Sequence, residues 1–162
     1  MKIFFDTCLA DFHSEYPIVL VDVGASGGLE KNWEDAKKYL QIIGFEPDER
    51  AHQVLVKEQN KSTIYLNTAL GGDNKTSPFY LNSKQQTSSM FKPNLNILKK
   101  FPDVERFEIL KEIELQTDTL DNLRDINSFS RVDFIKLDTQ GSELSILKGG
   151  SETLTNQIFG VE

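Results

Sequence analysis

Three acids in this chain close short apolar runs, and each stands where the chain must turn. Asp22 precedes Gly24-Ala25-Ser26-Gly27-Gly28, Glu46 precedes Pro47-Asp48, and Asp138 precedes Thr139-Gln140-Gly141. A carboxylate at the end of a strand can accept hydrogen bonds from a ribose diol, pair with a cation, or orient and deprotonate a hydroxyl. Glu46 lies 22 positions beyond Gly24 (24 to 46), about the separation at which an acid after a glycine turn meets a ribose.

Two ligand classes compete for such a site, a dinucleotide and S-adenosylmethionine. A dinucleotide fingerprint needs G-x-G-x-x-G, so that the backbone can approach a pyrophosphate. Here Ser26 takes the second glycine position and Leu29 the third, leaving Gly24-x-x-Gly27-Gly28. Asp22 beside the loop would repel a pyrophosphate and would suit the ammonium and sulfonium of an adenosylmethionine tail. Each element also has a plainer reading, the glycine run as a strand-to-helix turn and Glu46 as an acid flanking a helix. Asp138 is the expected catalytic residue, a carboxylate at a strand end that orients or deprotonates an acceptor hydroxyl. It could instead simply accept backbone N–H groups of the helix that follows, and Glu143, in the first turn of that helix, is stabilising there without any catalytic duty.

Other residues carry weaker signals. His13 and His52 are isolated, with no HExxH pattern or nearby cysteine, so no metal is expected. Gly71 to Thr76 superficially resembles a phosphate loop but lacks G-x-x-x-x-G-K and reads as a turn. Ser88-Ser89-Met90 either lines the pocket or forms a plain exposed loop. Lys99, Lys100 and Lys111 read as solvated charges, and Trp33, Tyr39 and Phe45 as core.

The elements that must position these groups alternate. Ile18 to Val23 reads as a buried parallel strand. The spacing of Trp33, Ala36, Tyr39 and Leu40 predicts a helix over 33–40, and Gln41 to Glu46 a second strand. Asp48 caps a helix with Ala51, Val54 and Leu55 inward, and Thr63 to Leu70 is a third strand. A segment at about 71–118 reads as inserted: a strand at Ser77–Asn82, a polar loop over 85–90, a short helix over 93–100, and a half-exposed strand at Phe107–Thr117 that could pair antiparallel with the first. Thr119 caps a short helix through Leu123, Val132 to Asp138 is the next core strand, and a helix over 142–148 ends at Gly149-Gly150. The chain stops in the apolar run Ile158 to Glu162, which reads as a fifth core strand of a truncated sheet with an exposed edge open to self-association. The pattern predicts an α/β, doubly wound, mostly parallel sheet in a single domain spanning 1–162.

Composition narrows the class. The 162 residues carry a formal charge of −7, which argues against a broad grip on nucleic acid or an anionic membrane and favours a small or neutral partner. One cysteine excludes an internal disulfide, the Met1 to Asp6 segment holds too short an apolar run for a signal peptide, and no stretch approaches a membrane span, so a cytoplasmic chain is expected.

The motifs Asp22-Val23-Gly24-Ala25-Ser26-Gly27-Gly28, Gly44-Phe45-Glu46-Pro47-Asp48, Thr119-Leu120-Asp121 and Phe134-Ile135-Lys136-Leu137-Asp138-Thr139-Gln140-Gly141-Ser142-Glu143, with Leu147-Lys148-Gly149, resemble those of FkbM-type methyltransferases. The last is the most specific, and the resemblance runs from about Ile18 to the C-terminus. It implies a class I, Rossmann-like fold that uses S-adenosylmethionine, usually for O-methyl transfer to hydroxyls of sugars or natural products. It assigns the loop of Asp22, Gly24, Ala25, Ser26, Gly27 and Gly28 to the methionine part of the donor and Glu46 to its ribose, with Pro47 among the donor-binding residues. Gln140 stands where many members carry an acid. The Asp-Thr-Gln-Gly ending of the Asp138 strand lacks the Asp/Asn-Pro-Pro-aromatic pattern of enzymes that methylate amino groups in nucleic acid. Two further readings stay open, a donor-binding module without turnover and an NAD-linked oxidoreductase on the same topology.

Overall fold

The computed structural model describes residues 8–126, 129 and 131–162; the Met1 to Asp6 segment lies outside them. In chain order the elements are α1 (Cys8–Glu15), β1 (Ile18–Val23), α2 (Lys31–Glu34), β2 (Leu40–Phe45), α3 (Glu49–Leu55), β3 (Thr63–Leu66), β4 (Ala69–Leu70), β5 (Thr76–Asn82), α4 (Leu95–Leu98), β6 (Ile109–Asp118), α5 (Leu120–Ile126), β7 (Phe134–Leu137), α6 (Glu143–Gly149), α7 (Ser151–Asn156) and β8 (Gly160–Val161). Five strands form one sheet in the order β3-β2-β1-β7-β8, every neighbouring pair parallel. The order reverses between β1 and β7, and that is where an open α/β sheet presents a crevice beyond its strand ends. The sheet is the α/β, Rossmann-like architecture that the alternation of strands and helices predicts.

Both faces of the central strands are covered, which is why β1 reads as an unbroken apolar run. Val19, Val21 and Val23 pack with Ile43, Phe45, Leu120, Ile135 and Ile146 on one side. Leu20 packs with Leu40, Ile42 and the partly buried Trp33 and Phe134 on the other. Asp22 falls on the second face, and so does Lys136, its register partner on β7.

Within residues 71–118, β5 and β6 join β4, just before them, in a smaller sheet of order β4-β6-β5. β5 and β6 pair antiparallel from Thr76↔Gln116 to Asn82↔Ile109, the pairing that the alternating apolar residues of β6 predict. Three expectations need correction. The Thr63–Leu70 run is two strands in two sheets, because Asn67 donates from Nδ2 to the carbonyls of Glu46 (2.9 Å) and Pro47 (3.3 Å) and bends the chain between β3 and β4. The predicted 33–40 helix is a single turn, Lys31–Glu34, followed by a 3-10 turn at Lys37–Tyr39, since Leu40 already pairs with Ile18 as the first residue of β2. Val54 is exposed at 57%, because Ala51 and Leu55, one helical turn apart, take the inner line of α3. The helix α6 ends at Gly149-Gly150 as expected, and α7 starts directly after it at Ser151. The helix α1, Cys8–Glu15, was not legible in the sequence.

Thr119 caps α5 as predicted, its Oγ1 accepting from the Asn122 N–H at 3.1 Å. Thr119→Ala removes that acceptor, so a loss of about 1 kcal/mol is expected. In a chain of this size that lowers Tm by about 2–4 °C in a thermal melt, whereas Thr119→Ser should leave it nearly unchanged.

Candidate functional site

The reversal of strand order opens a cleft at the carboxyl ends of β1, β2 and β7. Of the expected site residues, Gly24, Ser26, Glu46, Pro47 and Asp138 line it, together with Thr68, Leu70, Phe79 and Met90 among others. Asp22, Ala25, Gly27 and Gly28 are not among its lining residues. The structure therefore brings the ends of three strands to one cavity and leaves part of the glycine loop behind it.

Gly24 sits at φ +77°, a left-handed conformation. It lies so close to β7 that a Cβ there would overlap the Asp138 carbonyl oxygen. Its N–H donates to the Phe45 carbonyl (3.0 Å), and the Asp138 N–H donates to the Val23 carbonyl (3.0 Å), so the loop is clasped between β2 and β7. Among the described residues, Ser26 Oγ is buried without a hydrogen-bond partner. A buried hydroxyl left unpaired costs free energy unless something else satisfies it, and this one belongs to a residue lining the cleft.

Glu46 is 4% exposed. Burial pushes its carboxyl up to about 7, against the stabilising N–H groups of Asp48 and Ser26 and with the Asp48 charge adding to the rise. The Asp48 N–H donates to Glu46 Oε1 at 2.8 Å. Asp138, by contrast, is exposed, with Gln140 Nε2 donating to its Oδ1 at 3.5 Å.

The Asp22 carboxylate, outside the cleft lining, pairs with a buried cation. Lys136 Nζ lies 3.0 Å from Asp22 Oδ1 and 3.3 Å from Glu30 Oε1, and donates to the Gly24 carbonyl at 3.4 Å. Burial raises the Asp22 carboxyl even beside this partner, and the attraction of Asp22 holds the Lys136 ammonium above its ordinary value against its own burial. The charge of Asp22 is thus compensated inside the protein, and the pair fixes the back of the glycine loop. A signal for it was present in the sequence: a lysine inside the Phe134–Leu137 strand needs a buried counter-ion.

Two motif acids have structural duties. Glu143 Oε1 accepts from the Thr139 and Gly141 N–H groups (3.1 and 3.0 Å) and from Thr139 Oγ1 (3.2 Å), closing the turn after β7. Burial opposes its ionisation, but these donors outweigh it and hold the carboxyl below its usual range. Asp121 accepts from Glu152 N–H, Thr153 N–H and Thr153 Oγ1 at 3.0, 2.9 and 2.6 Å, joining α5 to α7. His13 and His52 each meet a backbone carbonyl, of Tyr16 and Tyr65.

The Ser88-Ser89-Met90 loop is no plain exposed loop, since Ser89 is 5% exposed and both Ser88 and Met90 line the cleft with Gln85 and Gln86. Gln85, Gln86 and Arg50 were not legible as site residues: the 85–90 segment reads only as a polar loop, and Arg50 joins the site by reaching Asn82 and Ser88, 32 and 38 residues away.

A family model, the methyltransferase FkbM domain, matches residues 22–162. The chain belongs to the FkbM methyltransferase family. No curated protein and no solved structure matches it. The match covers all of the cleft, and it makes this chain a methyltransferase with its strand-end acids at the topological switch point. No helix among the described residues is long and apolar enough to cross a membrane.

Proposed function

We propose that this FkbM-family chain binds S-adenosylmethionine in the β1–β2–β7 cleft and transfers its methyl group to a hydroxyl oxygen of a small molecule or sugar, working in the cytoplasm as one domain. The observation that carries this reading is the meeting of the Gly24–Ser26 loop and the Glu46 carboxyl in one cleft, with Ser26 Oγ buried and unpaired there. The donor fits these groups. The close clasp of Gly24 against β7 leaves backbone rather than side chain facing a ligand, Ser26 offers an unused hydroxyl, and Glu46 offers a carboxyl to the paired hydroxyls of a ribose. When bound, the donor supplies an electrophilic methyl on a sulfonium sulfur.

The residues of the chain then act by placement. Glu46 accepts from the ribose hydroxyls, and the Gly24–Ser26 backbone and Ser26 Oγ hold the amino-acid end. The Asp22–Lys136 pair keeps the Gly24 carbonyl in position from behind. Asp138, exposed on the rim of the cleft, orients the acceptor hydroxyl and takes its proton. In-line methyl transfer depends first on proximity and alignment, so loss of Asp138 slows the reaction more than it weakens donor binding. A net charge of −7 disfavours nucleic acid as the acceptor.

Thermal shift with S-adenosylhomocysteine and with NAD, side by side, tests the reading. A ligand at about 100 times its Kd stabilises by about 2.7 kcal/mol, or roughly 5–10 °C in Tm for a chain this size. A rise with S-adenosylhomocysteine alone is expected. A rise with NAD alone, or with neither ligand, would overturn it.

A further inference from the structure

The 71–118 insertion sends one loop across the mouth of the cleft, and that loop is tied down at both ends. On the β2 side, Ser88 Oγ donates to Asp48 Oδ2 (3.2 Å), and Arg50 Nη2 reaches Ser88 Oγ (3.5 Å) and the Asn82 carbonyl (3.0 Å). On the β7 side, Ser89 Oγ donates to the Gln140 carbonyl at 3.1 Å. Between the two ties, Tyr80 and Ser89 exchange backbone hydrogen bonds (2.8 and 3.2 Å). The loop therefore spans from the residues just after Glu46 to the residues just after Asp138, and Gln85, Gln86, Ser88 and Met90 form one wall of the cleft.

The β2 tie is centred on one ion pair. Asp48, 1% exposed, accepts from the Arg50 N–H (3.0 Å), from Nε (2.9 Å) and from Nη2 (2.5 Å). The guanidinium thus grips both carboxylate oxygens from two nitrogens and still donates to the loop, a geometry that a planar fork holds and that a lysine ammonium, with its three donors on one nitrogen, does not reproduce. Asp48, two residues past Glu46, also caps α3, which starts at Glu49.

We propose that Arg50 is a positioning residue for donor binding, fixing the 83–91 loop as a strap over the donor through Asp48, Ser88 and Asn82. This rests on the donor reading of the cleft. Arg50 touches neither donor nor acceptor in this role; it sets where Ser88, Gln86 and Met90 stand relative to Glu46. The pre-set strap spares the cost of ordering the loop when the donor binds.

The test is isothermal calorimetry of S-adenosylhomocysteine with the full chain and with Arg50→Lys, Arg50→Met and Ser88→Ala, alongside thermal melts and hydrogen–deuterium exchange. Arg50→Lys keeps a cation beside Asp48, so it should fold with a Tm within a few degrees of the parent, yet bind about tenfold more weakly. Arg50→Met should weaken binding further, and where it fails to fold, Ser88→Ala carries the same test with the Arg50–Asp48 pair intact. In the parent, S-adenosylhomocysteine should slow exchange of the amides of 83–91; in Arg50→Lys those amides should exchange faster without ligand while the β1, β2 and β7 amides stay unchanged. A purely structural arginine would lower Tm and leave Kd and the strap-specific exchange alone. Parent-like Kd in both Arg50→Lys and Ser88→Ala would overturn this inference by itself. No binding to the parent would overturn the donor reading, and this inference with it.

Discussion

Gly24→Ala is expected to lower Tm by roughly 6–12 °C and to abolish binding of S-adenosylhomocysteine. The position combines two demands that only glycine meets. Its φ of +77° is left-handed, which costs an alanine on the order of 1 kcal/mol, and its Cβ would overlap the Asp138 carbonyl oxygen with the Asp138 carbonyl carbon close behind. The second demand involves backbone on both sides, so neither partner can swing away as a side chain would. To make room, the β1 loop and the end of β7 must separate, breaking the Asp138 N–H to Val23 carbonyl bond of 3.0 Å and moving Asp138 away from the cleft. A total of about 3 kcal/mol follows, at about 2–4 °C per kcal/mol. Gly27→Ala separates the two causes. Gly27 is also left-handed at φ +97°, but the nearest atom to its Cβ would be Gln86 Nε2 at 3.8 Å, so it bears the strain without the collision and should lose only about 1 kcal/mol. Equal losses in the two variants, read by thermal melts, would show that close approach to β7 is not what Gly24 provides.

The same geometry shows what a linear sequence can and cannot carry here. The strand-end acids Glu46 and Asp138 were legible because an acid closing an apolar run before a turn has few purposes in a buried sheet, and both line the cleft. The doubly wound architecture was legible because continuous β-branched runs alternate with helical spacing. The division of Thr63–Leu70 was not, since a polar Asn67-Thr68 pair is also compatible with one continuous strand, and the kink comes from Asn67 reaching the Glu46 and Pro47 carbonyls, some 20 residues back in the chain. Asp48 was legible as a helix cap, but its grip on the insertion depends on Ser88, 40 residues away, and on Arg50 reaching Asn82. The buried partner of Asp22 was not legible either: its carboxylate meets Lys136, 114 residues later in the chain. Local propensity says nothing about such pairs; they exist because β1 and β7 lie side by side in one register.

Glu46→Gln is expected to make the protein more stable at pH 8 and worse at holding the donor. The carboxyl is pushed from 4.5 to about 7 by burial, so the folded state holds its proton more tightly than the unfolded chain does. Between pH 4.5 and 7 the folded state binds more protons than the unfolded one, and stability from this group falls as pH rises, levelling off above about 7. The full loss amounts to about 3 kcal/mol at pH 8. A glutamine keeps an oxygen for the Asp48 N–H at Oε1 and carries no charge to desolvate, so its Tm advantage over the parent should be small at pH 5 and grow to several degrees at pH 8. Binding should move the opposite way. Two ribose hydroxyls donating to a carboxylate favour its ionised form, so the affinity of the parent for S-adenosylhomocysteine should be flat above pH 7 and fall toward tenfold per pH unit below it. In Glu46→Gln the pH dependence should vanish and the affinity at pH 8 drop by roughly 10–100-fold, the worth of charge-assisted hydrogen bonds. Calorimetric titrations and melts across pH 5–8 read both halves. A purely structural glutamate would not show this opposition, because its replacement would leave binding of S-adenosylhomocysteine and its pH dependence unchanged. Loss of stability at pH 8 together with parent-like binding would therefore remove Glu46 from the donor site.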